Sequence, residues 1–247
     1  MNWSTELQRA SHAATKAATL LMTSFASDAG IDHARGHDIK TRADVAAEAC
    51  IKECLAPSNI PMLAEETCGE CDADTTGLHW LVDPLDGTMN FVRGLPVCAV
   101  SVALWEGNRP ILGAVYDLWR HQLYTGCCGQ GAWCDGEPIH VSSIPDRGQA
   151  ILATGFPTDR DYGHAALEQF IHRIQAFKKI RMLGSATLSL VFVANGTFDA
   201  YFEEDIMLWD VAAGLALVAA AGGEIEVQAG SFKHAVTATA TNGIFSI

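Results

Sequence analysis

Basic residues are scarce in this chain. Its 247 residues include 16 lysines and arginines against 29 aspartates and glutamates, which gives a formal net charge of −13. Broad nucleic-acid binding needs a stripe of basic side chains against the phosphates, so this deficit argues against direct binding of nucleic acid. An anionic small substrate would also be repelled unless cations lie in its site.

Long apolar runs are absent as well. No stretch of 18 or more apolar residues occurs, which excludes a membrane-spanning helix. The N-terminal segment lacks the basic head and apolar core that a signal peptide requires. The eight cysteines do not form the even framework of a small secreted scaffold. We therefore expect a cytoplasmic protein whose cysteines are mostly thiols.

The remaining composition, 49% hydrophobic and 18% charged, is that of a globular chain. Helical spacing of apolar residues predicts helices over residues 5–25, with Thr5 as cap, and over residues 43–55. Residues 26–40 hold two glycines and no periodicity, which predicts a mobile loop. Three further helices are expected over residues 161–178, 185–194 and 209–221. The first of these presents an apolar face of Leu167, Phe170, Ile171 and Ile174.

Short apolar runs separated by turn residues predict strands. They occupy residues 61–66, 79–83, 99–105, 111–117, 122–126, 151–156, 198–202 and 224–227. Several of these runs lie close together along the chain, as antiparallel strands do. Helices that alternate with mainly antiparallel strands predict an α/β layered sandwich.

The stretch Asp83-Pro84-Leu85-Asp86-Gly87 places two carboxylates inside an apolar run. Pro84 favours an extended shape for the residue before it, and Gly87 permits a sharp turn. Two ionised carboxylates brought together in a dry site repel each other, and a bound cation removes the conflict. Oxygen ligands alone select a hard ion such as Mg²⁺. The alternative is a plain turn with Asp83 as a helix cap.

Two other acidic motifs favour the cation site. Glu65-Glu66 ends the strand before this stretch. Trp209-Asp210 opens a helix and follows the acidic run Glu203-Glu204-Asp205. In order along the chain, AEET (64–67), DPLDGTMNF (83–91) and WDVAAG (209–214) resemble the inositol monophosphatase family of Mg²⁺-dependent, lithium-sensitive phosphatases. TRAD (41–44), GSAT (184–187) and YFE (201–203) fit as well, so the resemblance covers nearly the whole chain.

The resemblance implies a single catalytic domain over 1–247 with a fructose-1,6-bisphosphatase/inositol monophosphatase-like fold. An N-terminal lobe of about 1–145 would carry most metal ligands, and a C-terminal lobe of about 146–247 would carry the specificity residues. Members of the family are often homodimers.

The resemblance also implies two to three Mg²⁺ ions. Glu65, Asp83 and the Leu85 carbonyl would hold one ion. Asp83, Asp86 and Asp210 would hold a second, and a third would lie near Glu65. Thr88 paired with Asp44 would activate the attacking water, with Glu65 beside them. The metals, rather than a basic patch, would attract the phosphate.

Substrate contacts follow from the same likeness. They comprise Gly87, Thr88, Met89, Gly184, Ser185, Ala186 and Glu203. The first three would cradle the phosphate with backbone amides, and Glu203 would contact substrate hydroxyls. Met89-Asn90-Phe91 resembles the branch that acts on inositol and sugar phosphates.

The pattern departs from the family at a few positions. Ala64 stands where Gly is usual, and Met89 where a second Thr is common. A lysine in the family's mobile loop has no clear counterpart, although His33, Arg35, His37 and Lys40 lie nearby. Cys68-Gly-Glu-Cys71 is open to three interpretations, namely a zinc site with Cys127-Cys128, a redox pair or free thiols.

We therefore expect a Mg²⁺-dependent phosphomonoesterase that acts on inositol 1-phosphate or a similar small polyol or sugar phosphate. Fructose-1,6-bisphosphatase and histidinol-phosphatase activities are the alternatives within the same class. From another class, the alternative is a metal-stabilised regulatory or binding protein that retains the fold.

Overall fold

A computed structural model describes residues 3–25, 31–35, 38–67, 75–156 and 162–247. The α-helices are α1 Ser4–Leu20, α2 Arg42–Leu55, α3 Thr88–Arg93, α4 His164–Gln175, α5 Ala186–Ala194 and α6 Leu208–Ala220. A π-helical turn, Leu21–Phe25, continues α1, and a 3-10 turn, Ala56–Ser58, follows α2. The strands are β1 Ile31–Arg35, β2 Asp38–Thr41, β3 Met62–Ala64, β4 Leu78–Asp86, β5 Ala99–Glu106, β6 Arg109–Asp117, β7 Gln122–Cys127, β8 Gly131–Cys134, β9 Glu137–Ile139, β10 Ile151–Thr154, β11 Lys179–Arg181, β12 Ala200–Met207, β13 Glu224–Ala229 and β14 Ala235–Thr241.

A seven-stranded sheet in the order β3-β4-β5-β6-β7-β8-β9 forms the larger half. Its strands are antiparallel except for the parallel pair β3 and β4. One face is covered by α1 and α2. The buried alanines of α1, Ala10, Ala13, Ala14, Ala17 and Ala18, let this helix lie close to the strands. The opposite face packs against α6.

A five-stranded sheet in the order β11-β10-β12-β14-β13 forms the smaller half. Within it β10 is parallel to β11 and to β12, and the remaining pairs are antiparallel. The helices α5 and α6 are apolar on nearly every side and lie between the two sheets. On the outer side, Ile174 of α4 packs against the core of the smaller sheet. The layers therefore alternate helix, sheet, helix, sheet, helix, which confirms the layered α/β sandwich.

A close approach between β6 and α6 fixes the central layer. A Cβ added at Gly113 would lie 2.5 Å from the carbonyl oxygen of Ala213. Only glycine permits this separation without moving the helix. Since α6 carries Asp210 in its first turn, the packing also sets the position of that carboxylate.

Several sequence predictions needed correction. Residues 31–35 and 38–41 pair as an antiparallel hairpin instead of a structureless loop, while 26–30 and 36–37 lie outside the described residues. Thr5 does not cap α1, because the helix already begins at Ser4 with Trp3 before it. Ile171 is 45% exposed, because α4 turns only part of its predicted apolar face inward. The strands β8, β9, β11 and β14 were not predicted. No helix in the described ranges is long and apolar enough to cross a membrane.

Candidate active site

The parallel pairing of β3 and β4 brings two acidic motifs to one edge of the larger sheet. Ala64 lies opposite Val82, and the Glu65 amide donates a hydrogen bond to the Val82 carbonyl at 3.3 Å. Glu65 directly follows β3, and Asp83 follows Val82 within β4. The paired glutamate and the first aspartate of DPLDG therefore meet where these strands end.

An irregularity in β4 turns its two aspartates to the same face. Asp83 pairs with Ser101 of β5, while Asp86 pairs with Ala99, so β4 contains one extra residue between the pairs. In a regular strand, residues three apart point to opposite faces, and the extra residue cancels that difference. The Leu85 amide donates to Asp83 Oδ1 at 2.9 Å. The interpretation of Asp83 as a helix cap is wrong, because α3 begins only at Thr88 after Gly87.

The acidic side chains interact through their charges. Asp83 is 2% exposed. Burial, and then the charges of Glu65, Asp86 and Asp210, raise the pKa of Asp83 well above its usual value. Within the described ranges no three His, Cys, Asp or Glu side chains form a group that could hold a metal ion as they stand. The four carboxylates share one electrostatic site without forming a closed ligand cage.

Asp86 is held by the start of α5. The Ser185 hydroxyl donates to Asp86 Oδ2, and the Thr187 amide donates to the same oxygen at 3.1 Å. Ser185 also caps α5 by accepting from the Leu188 amide at 3.1 Å. These hydrogen bonds favour the carboxylate, but burial outweighs them and raises the pKa of Asp86 to about 6.

Thr88 and Asp44, to which the family resemblance assigns activation of the attacking water, lie in contact. The Thr88 hydroxyl lies within hydrogen-bond distance of Asp44 Oδ1 at 3.3 Å and of the Leu85 carbonyl at 3.0 Å. Asp44 is also fixed by α2, since the amide and hydroxyl of Thr41 donate to its Oδ2 at 2.8 and 2.5 Å. Burial raises the pKa of Asp44 above its usual value despite these donors.

The predicted phosphate-binding amides lie where α3 begins. Gly87 precedes the helix with φ of +82°, and a Cβ there would lie 2.8 Å from the Val97 carbonyl oxygen. The first amides of a helix have no partners within the helix, so those of Thr88 and Met89 suit an anion. The side chain of Met89 is 46% exposed.

Asn90 has a structural role in this arrangement. Its Nδ2 lies 2.8 Å from the Val97 carbonyl, 2.9 Å from that of Leu183 and 3.1 Å from that of Gly184. Phe91 is buried. Asn90 therefore holds α3 against the segment before α5, while Phe91 packs in the core between the larger sheet and α1 and α2.

A cavity of about 520 Å³ opens beside these groups. It brings together predicted site residues from both halves of the molecule, namely Glu65, Asp86, Gly184, Ser185, Ala186, Glu203 and Asp210. Asp83 and Leu85 lie buried next to them. The cavity is also lined by Asp205 and Trp209, which lie in the acidic motifs but had no predicted role in the site. The sequence did not single out its remaining lining residues, Thr154, Gly155, Phe156, Ser189, Ile206, Met207 and Phe232.

Other residues that support the site were also missed. The Glu48 carboxylate accepts from the Glu66 amide at 2.8 Å and so steadies the turn after β3. The Thr187 hydroxyl donates to the Asp210 carbonyl at 2.8 Å, which links α5 to α6. Neither contact has a local pattern in the sequence. Of the contacts that support the site, only the cap of α2 has one, the Thr41-x-x-Asp44 spacing of a capping box.

Of the cysteines in the zinc, redox and free-thiol interpretations, the structure describes Cys127 and Cys128. Cys127 is buried in the core, and burial raises the pKa of the Cys128 thiol to about 11. Burial raises the pKa of the Cys127 thiol as well, so both thiols are protonated in the chain without metal. Cys68 and Cys71 lie outside the described residues, as do the side chains of His33, Arg35, His37 and Lys40.

The chain is similar to known proteins in both sequence and structure. The model of the inositol monophosphatase family matches residues 3–245. The Nus factor SuhB of Escherichia coli K12 is 34% identical over 242 residues, which cover 96% of this chain and 90% of that protein. The inositol monophosphatase of Mesembryanthemum crystallinum is 36% identical over 89% of this chain and 84% of its own. The structure of an inositol monophosphatase from Anabaena (Nostoc) sp. PCC 7120 superposes with a TM-score of 0.81 at 31% identity, covering 99% of this chain and 93% of that one.

Proposed function

The chain belongs to the inositol monophosphatase family, and on that premise we propose that it is a Mg²⁺-dependent phosphomonoesterase acting on inositol 1-phosphate or a similar small polyol phosphate. The observation that carries the proposal is the Thr88–Asp44 pair next to four carboxylates that interact around Asp83. The pKa of buried Asp83 is raised by burial and by the charges of three neighbouring carboxylates, which marks a site built for a positive charge.

The donor set fits Mg²⁺. Glu65, Asp83, Asp86, Asp210 and the Leu85 carbonyl would supply oxygen ligands only, which suit a hard cation. When bound, two such ions supply an activated water and stabilise the leaving oxygen of an in-line displacement. With the ions in place, the repulsion among the four carboxylates is offset, and an anionic substrate can enter a chain of net charge −13.

The protein's own residues orient the water and take up its proton. The Thr88 hydroxyl can accept a hydrogen bond from a water while it donates to Asp44. Burial raises the pKa of Asp44, which makes this carboxylate a better proton acceptor than an exposed aspartate. The amides at the start of α3 would hold the phosphate for attack.

Phosphate release from a substrate panel tests the proposal. Inositol 1-phosphate, glycerol 2-phosphate, fructose 1,6-bisphosphate and histidinol phosphate would be assayed with Mg²⁺, with and without Li⁺. We expect Mg²⁺-dependent turnover that Li⁺ inhibits, fastest on inositol 1-phosphate. Among the described cavity-lining residues there is no lysine or arginine, which disfavours a second phosphate. No release from any of these compounds would contradict the proposal.

A second candidate is a Nus-factor role, because curated relatives with 34% identity over 96% of the chain carry that name. Such a role needs a binding surface instead of the carboxylates. Complementation of an Escherichia coli strain lacking SuhB, by wild type and by Asp83→Asn, separates the two. Rescue by both variants would favour the binding role.

The proposal extends to a cytoplasmic homodimer, the usual state implied by the family resemblance. The cysteines within the described ranges are free thiols, which suits a reducing compartment. Light scattering of the purified chain would test the dimer, and a monomer at micromolar concentration would contradict it.

A further inference from the structure

A buried tyrosine lies behind the carboxylate at the substrate end of the cavity. Tyr201 and Glu203 are two residues apart on β12, so their side chains share one face of the sheet. The Tyr201 hydroxyl donates to Glu203 Oε2 at 2.8 Å. Tyr201 is 0% exposed and Glu203 is 6% exposed. Only Glu203 of the two lines the cavity.

A glycine lies against the other oxygen of the same carboxylate. A Cβ added at Gly155 would lie 2.5 Å from Glu203 Oε1 and 2.9 Å from its Cδ. Real Cβ atoms do not come this close, so any side chain at this position would displace Glu203. The carboxylate is therefore held between a hydroxyl donor on one side and a bare Cα on the other.

We propose that Tyr201 is a positioning residue which, together with Gly155, aims Glu203 at hydroxyl groups of the leaving group remote from the phosphate. This inference rests on the proposed function of the site. A hydrogen bond to a carboxylate is shorter and stronger than one between neutral groups. Glu203 therefore presents its oxygens in a fixed direction, and substrates with hydroxyls in matching positions are selected.

The hydroxyl of Tyr201 is a permanent donor in this arrangement. Burial, and then the neighbouring Glu203 charge, raise the pKa of Tyr201 well above its usual value. The phenol thus remains protonated throughout the range in which the enzyme would work. Since it does not line the cavity, it acts on substrate only through Glu203.

Tyr201→Phe tests the inference because it removes the hydroxyl and keeps the ring. We expect kcat/KM for inositol 1-phosphate to fall about tenfold, mainly through KM, since the lost hydrogen bond is charge-assisted. For glycerol 2-phosphate, with few hydroxyls to present, the change should stay within about twofold. The matched control is Tyr124→Phe. Tyr124 is also buried, at 3% exposed, and donates to Gln122 Oε1 at 3.0 Å in the other sheet. Loss of its hydroxyl should leave the ratio of kcat/KM for the two substrates unchanged.

Gly155→Ala offers an independent route to the same residue. It removes no polar group but forces Glu203 to move, so the selectivity for inositol 1-phosphate should fall as in Tyr201→Phe. Gly77→Ala, where an added Cβ meets nothing within 4 Å, is the control. In a Glu203→Gln background neither Tyr201→Phe nor Gly155→Ala should lower the selectivity further, because residues acting through one group are not additive.

The outcomes separate the inference from the function on which it rests. If wild type hydrolyses neither substrate, the proposed function fails. If wild type is active and Tyr201→Phe lowers kcat/KM equally for both substrates, or for neither, the positioning role is wrong. An additive loss in the Glu203→Gln background would also overturn it, even for a folded and active enzyme.

Discussion

At the scale of single residues, the site contains two aspartates that are buried where a negative charge is unfavourable. Asp83 and Asp86 are 2% and 7% exposed, and burial raises the pKa of both. Without a cation, each favours its neutral form more in the folded state than in the unfolded chain. The folded protein without metal therefore binds protons more tightly than the unfolded one as the pH falls.

The sign of this linkage gives a pH prediction. With EDTA present, the stabilising contribution of Asp86 is complete below about pH 4 and is lost as the pH rises through about 6. The free energy of unfolding of wild type relative to Asp86→Asn should thus decline by about 3 kcal/mol over that range. Urea unfolding at several pH values measures it. Glu106→Gln, at an exposed position, is the control. If the free energies of unfolding of wild type and Asp86→Asn change in parallel with pH, the prediction is contradicted.

Thr88 supports a kinetic prediction. Thr88→Ala removes the hydroxyl 3.3 Å from Asp44 and should lower kcat about 100-fold, the scale of general acid–base assistance. KM should change much less. Thr88→Ser keeps a hydroxyl and should retain most activity. Steady-state kinetics decide, and a Thr88→Ala variant with normal kcat and raised KM would assign Thr88 to binding alone.

At the scale of elements, strand ends and helix starts deliver the site residues. Glu65 follows β3, Asp83 and Asp86 lie at the irregular end of β4, and Asp210 lies in the first turn of α6. The start of α5 has two tasks, because Ser185 caps the helix and donates to Asp86. The helix N-terminus and the carboxylate are therefore coupled through one hydroxyl.

This coupling predicts a joint loss of stability and metal affinity. Ser185→Ala should cost about 1–2 kcal/mol of stability, lowering Tm by a few degrees, and should weaken Mg²⁺ binding about tenfold. Thermal unfolding and calorimetric titration measure the two effects. Ser142→Ala is the matched control. The Ser142 hydroxyl donates to Asp199 Oδ1 at 2.5 Å, and neither residue lines the cavity. Ser142→Ala should lower Tm without changing the Mg²⁺ affinity. A Ser185→Ala variant that binds Mg²⁺ as tightly as wild type would contradict the coupling.

The sequence predicted elements best where apolar residues recur throughout the element. The helices α2, α5 and α6 and the strands β5, β6 and β7 are confirmed. The strand β14, Ala-Val-Thr-Ala-Thr-Ala-Thr, was missed because its apolar residues are small, although its threonines and valine favour strands. The hairpin of β1 and β2 was missed because its pairing partners lie within a segment that has no alternating pattern.

At the scale of the whole molecule, the site joins residues that are far apart in the chain. The motifs identified Glu65, Asp86 and Asp210, and the fold brings them to one cavity with Glu203. Tyr201 lies in the YFE segment that the sequence singled out, but its hydrogen bond to Glu203 was not foreseen. Gly155 and Thr154 were not predictable, because their relation to the cavity depends on the pairing of β10 with β12. Pairing between distant strands leaves no local signal in the sequence.

The central claim is that the carboxylates around Asp83 hold the Mg²⁺ needed for phosphomonoester hydrolysis. The most direct test measures phosphate release from inositol 1-phosphate across a Mg²⁺ titration, for wild type and Asp83→Asn. The variant removes the charge that the other three acids surround and keeps the side-chain shape. We predict saturable Mg²⁺-dependent turnover in wild type and, in a folded Asp83→Asn protein, less than about one hundredth of it. A folded variant that retains a tenth or more of the wild-type rate would contradict the account.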